Sequence, residues 1–110
     1  MKLLYTGILP ILFITSVFAQ PTTGCDLPTN PNTGYIYLLD DGSVLYRSPL
    51  AMGGFQFDLE GGTLNGASGG EAGTAGFMLS TAPTNAETGF GRVIAFSLTG
   101  ATIEEPCGTL

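Results

Sequence analysis

Between Phe55 and Glu60 the chain alternates strictly: Phe55, Phe57 and Leu59 are apolar, while Gln56, Asp58 and Glu60 are polar. A period of two over this stretch predicts a strand with one buried and one wet face. Arg92 to Thr99 predicts a second, with Ile94, Phe96 and Leu98 on one side. These six apolar residues are the predicted core. Tyr35 to Leu39 is β-branched and aromatic, hence a strand. Asp40-Asp41-Gly42 stops it and Val44-Leu45-Tyr46 resumes, a strong hairpin signal because Asp-Gly tolerates the positive φ of tight turns. Weaker strands are predicted over Thr63 to Ser68 and Phe77 to Thr81. Gly61-Gly62 turns the chain between strands, and Ala82 to Gly89 reads as a polar loop. The Gly/Ala segment from Gly69 to Gly76 has room for one helical turn at Glu71-Ala72, since its glycines make a longer helix costly. Ala101-Thr102-Ile103 continues the apolar run and Glu104-Glu105-Pro106 breaks it. Past residue 19, apolar residues nowhere recur at i, i+3, i+4 and i+7 over three turns. About six short strands separated by turn signals predict an all-β sandwich or partial barrel.

Residues 1–19 follow a different pattern. Met1-Lys2 is a short positive start, an apolar run extends from Leu3 to Phe18, and Val17 and Ala19 occupy the -3 and -1 positions of a small-residue cleavage site. This three-part pattern predicts a secretory signal peptide with the mature chain starting at Gln20. The run is shorter than the ~20 residues that span hydrocarbon and contains Pro10, so a membrane anchor is not expected. Residues 20–33 carry Pro21, Pro28 and Pro31 among Thr, Asn and Gly, and read as an irregular lead-in to a domain over residues 34–110.

Composition narrows the function classes. The formal charge is -6, and loss of Lys2 with the leader leaves Arg47 and Arg92 against nine acids. Nucleic-acid binding lacks its basic footprint. With no histidine, Ser-His-Asp and Cys-His catalysis lack their base, and no cofactor is expected. Cys25 and Cys107 lie near opposite ends of the mature chain. In a small secreted domain two cysteines predict a staple, here closing a loop of about 80 residues.

Five stretches carry a family resemblance: Gly54-Phe55-Gln56-Phe57-Asp58-Leu59, Asn65-Gly66-Ala67-Ser68-Gly69-Gly70, Ala75-Gly76-Phe77, Ala95 to Ile103, and Cys107-Gly108-Thr109-Leu110. In order and spacing, Tyr35 to Leu110 resembles a cohesin-like module of large secreted proteins of marine microbes and algae. It is similar to the superfamily that joins cohesins to certain carbohydrate-binding domains. The resemblance implies a jelly-roll β-sandwich and a non-catalytic binding role. It also implies one more hydrophobic strand after the Gly-x-Leu, which this sequence lacks. Either the gene product is truncated or something else completes the domain. Glu104-Glu105-Pro106 stands where a Pro-Ala-Gly-like turn is usual. The expected consequence is an unpaired strand edge open to β-augmentation by a partner peptide.

Candidate chemistry is sparse. Asp58 and Glu60 share a strand face roughly 7 Å apart, within the range of glycosidase carboxylate pairs. Alternation explains both without chemistry, and a solvated face is the preferred reading. Asp40-Asp41-Gly42 with Glu104-Glu105 lacks the spaced ligand run of a calcium loop and reads as turn chemistry. The glycines from Gly66 to Gly76 have neither the Lys nor the long helix of a phosphate loop. Tyr35, Tyr37 and Tyr46 are the candidate ligand face, since aromatics on a sheet can stack on sugar rings. The resulting expectation is a secreted, disulfide-stapled, non-catalytic module that binds a protein partner, with an extracellular glycan as the alternative ligand.

Overall fold

The computed structural model describes residues 1–6 and 20–110. The apolar run and cleavage site from Gly7 to Ala19 lie outside the described residues. Among the described residues eight strands and one short α-helix follow in order: β1 (Lys2–Thr6), β2 (Tyr35–Leu38), β3 (Val44–Arg47), β4 (Gly54–Glu60), β5 (Thr63–Ser68), α1 (Gly70–Thr74), β6 (Met78–Ala82), β7 (Phe90–Phe96) and β8 (Cys107–Thr109). They form three antiparallel sheets, ordered β1-β5, β2-β3-β8 and β4-β7-β6. The chain is an all-β sandwich, and α1 is the single helical turn expected at Glu71-Ala72.

The hairpin joining β2 to β3 forms as its sequence demands. Gly42 takes φ +89° and the Asp41 carboxylate accepts the Ser43 N–H at 2.8 Å. Leu39 and Ser43 close the turn, with Leu39 N–H donating to Ser43 O at 2.8 Å. Register then sets Tyr35 opposite Arg47 and Leu38 opposite Val44.

The core gathers Val44, Tyr46, Leu59, Leu64, Ala72, Phe77, Val93, Ala95, Ile103 and Leu110, together with Met1 and Leu3 from β1. Phe55 and Phe57 pack against it, their rings stacked 6.2 Å apart. Among the described residues no buried side-chain nitrogen or oxygen lacks a partner.

The β4 half of the expected core is in place, but the β7 half is reversed. Gly91, Val93 and Ala95 face inward, whereas Ile94 is only half-buried, Phe96 is exposed and Leu98 is 70% exposed. Register supplies the reason. Leu59, Phe57 and Phe55 stand opposite Gly91, Val93 and Ala95, so the bulky inner side chains of β4 are matched by small ones on β7. At Gly91 an added methyl would lie 2.8 Å from the Leu64 side chain. The strand also ends earlier than expected. Ser97 Oγ accepts the N–H groups of Thr99 and Ala101 at 3.2 and 2.8 Å, turning the chain before Leu98 can pair.

The lead-in, irregular apart from a 3-10 turn at Gly24–Asp26, is tied down. The Asp26 carboxylate accepts the N–H groups of Thr22 and Thr23, each at 3.1 Å, which holds its pKa below the usual carboxylate range. Cys25 is disulfide-bonded to Cys107, with Cα atoms 5.0 Å apart. Arg47 Nη1 donates to the carbonyls of Cys25 and Leu27 at 2.5 and 3.2 Å. Neighbours along β3 point to opposite sides, yet Val44, Leu45 and Tyr46 are all buried, so both faces of this central strand are covered.

The Met1 amino group sits among these packed elements. Burial pulls its pKa down from 8.0 to about 6, with the Glu71 carboxylate opposing the shift. Between pH 6 and 8 the unfolded chain then binds the proton that the folded chain has lost, so stability rises with pH through this window. The full chain should melt at a higher temperature at pH 8 than at pH 6, and Nα-acetylation should remove the difference. An unchanged slope after acetylation would assign the effect elsewhere.

Candidate binding surfaces

The three tyrosines of the candidate ligand face do not form one platform. Tyr35 and Tyr37 stand opposite Arg47 and Leu45, while Tyr46 stands opposite Ile36 and so projects to the other side of the hairpin. There Tyr46 is 1% exposed and its hydroxyl donates to Glu105 O at 2.8 Å. Desolvation pushes its pKa up to about 12, and the Glu71 and Glu105 carboxylates add to the shift. Tyr46 is therefore a core residue and is corrected out of the ligand face. The missing sequence signal was the hairpin register, which sets Tyr46 on the Val44 side, toward the core. Tyr37 remains half-exposed and borders a shallow cleft of about 520 Å³ with Gln20, Pro21, Asp26 and Pro28 of the lead-in. Cys25 and Cys107 are joined as expected, their bond lying on the lead-in side of β8.

The outer face of the β4-β7-β6 sheet carries largely exposed or half-buried side chains. Cross-strand pairing puts Met78 beside Phe96, Ser80 beside Ile94, Gln56 beside Ile94 and Asp58 beside Arg92. Met78 is 50% exposed, and Leu98 follows just beyond the strand end. One end of this face is thus apolar, through Met78, Ile94, Phe96 and Leu98. The other is charged, through Asp58, Glu60 and Arg92. Scattered exposed hydrophobes need no explanation; here Met78 and Phe96 are direct cross-strand neighbours.

Of the two carboxylates on this face, Asp58 is tied to Arg92. Arg92 donates to Asp58 through Nε and Nη2 at 2.7 and 3.2 Å, and this hydrogen-bonded pairing holds the Asp58 carboxyl below the usual range. A glycosidase general acid needs the opposite shift, so Asp58 does not suit that one role. The Arg92 guanidinium also lies 5.8 Å from the Phe90 ring centroid. Among the described residues no three His, Cys, Asp or Glu side chains gather as a metal-binding group. No helix there is long and apolar enough to cross a membrane.

A third feature is a narrow apolar opening between the two three-stranded sheets, about 110 Å³, bordered by Ile36, Tyr46, Met52, Phe55 and Phe57. It is too small to hold more than one side chain of a ligand. Comparison of the chain with protein-family models, curated proteins and solved structures finds no match.

Proposed function

We propose that this chain is a secreted, non-catalytic binding module of the cohesin-like kind, engaging a protein partner through the outer face of the β4-β7-β6 sheet. The observation that carries the reading is the apolar end of that face, where Met78, Phe96 and Leu98 stay exposed beside the half-buried Ile94. An interface of this sort joins an apolar centre to a polar rim, and Asp58, Glu60 and Arg92 supply the rim. Secretion is supported by the Cys25–Cys107 bond, which persists in oxidising compartments, and by the leader pattern of residues 1–19. The glycan reading draws on one observation, Tyr37 beside the lead-in cleft. It is the weaker of the two, because Tyr46 has no free face to offer.

Binding to a panel of secreted proteins and to a glycan array separates the readings. A Met78→Ser/Phe96→Ser double variant should fold normally yet lose protein binding about 30-fold or more, as loss of central interface residues does. Binding confined to the glycan array, and abolished by Tyr37→Ala but not by the double variant, would overturn the proposal in favour of carbohydrate recognition.

A further inference from the structure

The long edge of β3 is covered by two segments in line. Tyr46 and Leu45 pair with Gly108 and Thr109 of β8, and Leu110 N–H donates to Val44 O at 2.7 Å. There β8 gives way to β1. Val44 N–H donates to Met1 O at 2.8 Å, Lys2 stands opposite Ser43, and Leu3 N–H donates to Gly42 O. On its other side β1 pairs with β5 along its whole length, from Lys2 opposite Ser68 to Thr6 opposite Thr63. Residues 1–6 therefore fill a slot between the Gly42–Val44 edge and β5. Met1 and Leu3 enter the core at 1% and 2% exposure, while Leu4 is 57% exposed.

This strand belongs to the segment that the leader reading removes on export. Its loss strips hydrogen-bond partners from Gly42, Val44 and β5, and empties two deep side-chain positions among Val44, Leu64 and Ala72. An unpaired edge beside an apolar trough is a template for another strand. We infer that the slot is a receptor for an extended segment of another polypeptide, with apolar side chains at alternate positions and a neutral or basic character, which enters where residues 1–6 lie in the uncut chain. This rests on the reading of the chain as a secreted protein-binding module, and adds a second site to it. Backbone pairing to both walls provides affinity, and the two positions held by Met1 and Leu3 provide selectivity. The sign of the partner's charge follows from the walls. Glu71 lies within electrostatic reach of the Met1 amine, and Asp41 of Lys2. Both arginines of residues 20–110 are engaged elsewhere, Arg47 with lead-in carbonyls and Arg92 with Asp58. A cation on the entering strand thus meets acids and no competing base.

The test uses the full oxidised chain with a site-specific protease sequence inserted between Ala19 and Gln20. After cleavage, the probe is a labelled peptide of residues 1–6, Met-Lys-Leu-Leu-Tyr-Thr. The peptide should exchange into the domain one to one and raise its melting temperature. A Leu3→Asp peptide should bind at least about 100-fold more weakly, and a Lys2→Glu peptide several-fold more weakly. If cleavage unfolds the domain, recovery of the folded state by the original peptide, and not by the Leu3→Asp peptide, is the supporting result. A cleaved domain that stays folded and binds neither peptide overturns the inference, as does equal binding of both. Dimers formed by exchange of residues 1–6 between copies would replace the foreign partner with a second copy of this chain. The Met78→Ser/Phe96→Ser variant should bind the peptide normally, so failure at the slot and failure at the outer face are distinguishable.

Discussion

Replacing Cys25 and Cys107 together by serine should lower the melting temperature of the oxidised protein by on the order of 20 °C. The bond joins residues 82 apart in sequence. In the chain-entropy account a loop of that size contributes about 4 kcal/mol, and each kcal/mol moves the midpoint of a domain this small by about 4–8 °C. The native side of the balance points the same way. The bond pins the Gly24–Asp26 turn against β3 and β8, where Leu45 is buried beneath the lead-in and Arg47 donates to the carbonyls of Cys25 and Leu27. Without the bond, the two Arg47 hydrogen bonds, one exposed and one part-buried, and the packing of Leu27 must hold that cover. Thermal unfolding of the oxidised wild type and the double variant checks this. A drop below about 5 °C would show that the lead-in is held by Arg47 and Leu27 rather than by the bond.

Local signals in this sequence translate well into structure, and long-range ones do not. The β2–β3 turn was legible because Asp41 and Gly42 specify it by themselves, one through a side-chain hydrogen bond and one through positive φ. β4 was legible because its alternation has a single hydrophobic phase. In β7 both phases are apolar: Val93 and Ala95 form one, Ile94 and Phe96 the other. Choosing by size selects the second. The choice is made instead by the partner strand, since Phe55 and Phe57 leave only enough inner volume for Ala95 and Val93. The role of Tyr46 was hidden for a related reason. Its burial depends on the hairpin register, which turns it toward Val44 and the core, and on a carbonyl 59 residues away. The candidate outer face was invisible for the same cause that misplaced the core, because its apolar residues were assigned to the interior. Residues 1–6 carry a leader pattern, and no local feature announces that they also complete a sheet.

Two leucines of identical chemistry decide which β7 face is inside. Leu59 is 6% exposed on the inner face of β4, opposite Gly91, whereas Leu98 is 70% exposed beyond the end of β7. Leu59→Ala should cost about 3 kcal/mol, the removed side chain leaving a cavity that the facing Gly91 cannot fill. Leu98→Ala should cost less than about 0.5 kcal/mol, as surface truncations do. Urea unfolding of the two variants measures both, with similar m-values expected because the surface exposed on unfolding barely changes. For a domain with a total stability near the low end of about 5–15 kcal/mol, the first substitution consumes much of the margin and the second almost none. A large cost at Leu98 with a small one at Leu59 would put Ile94, Phe96 and Leu98 in the core. It would also remove the apolar end of the outer face, and with it the protein-binding surface proposed above.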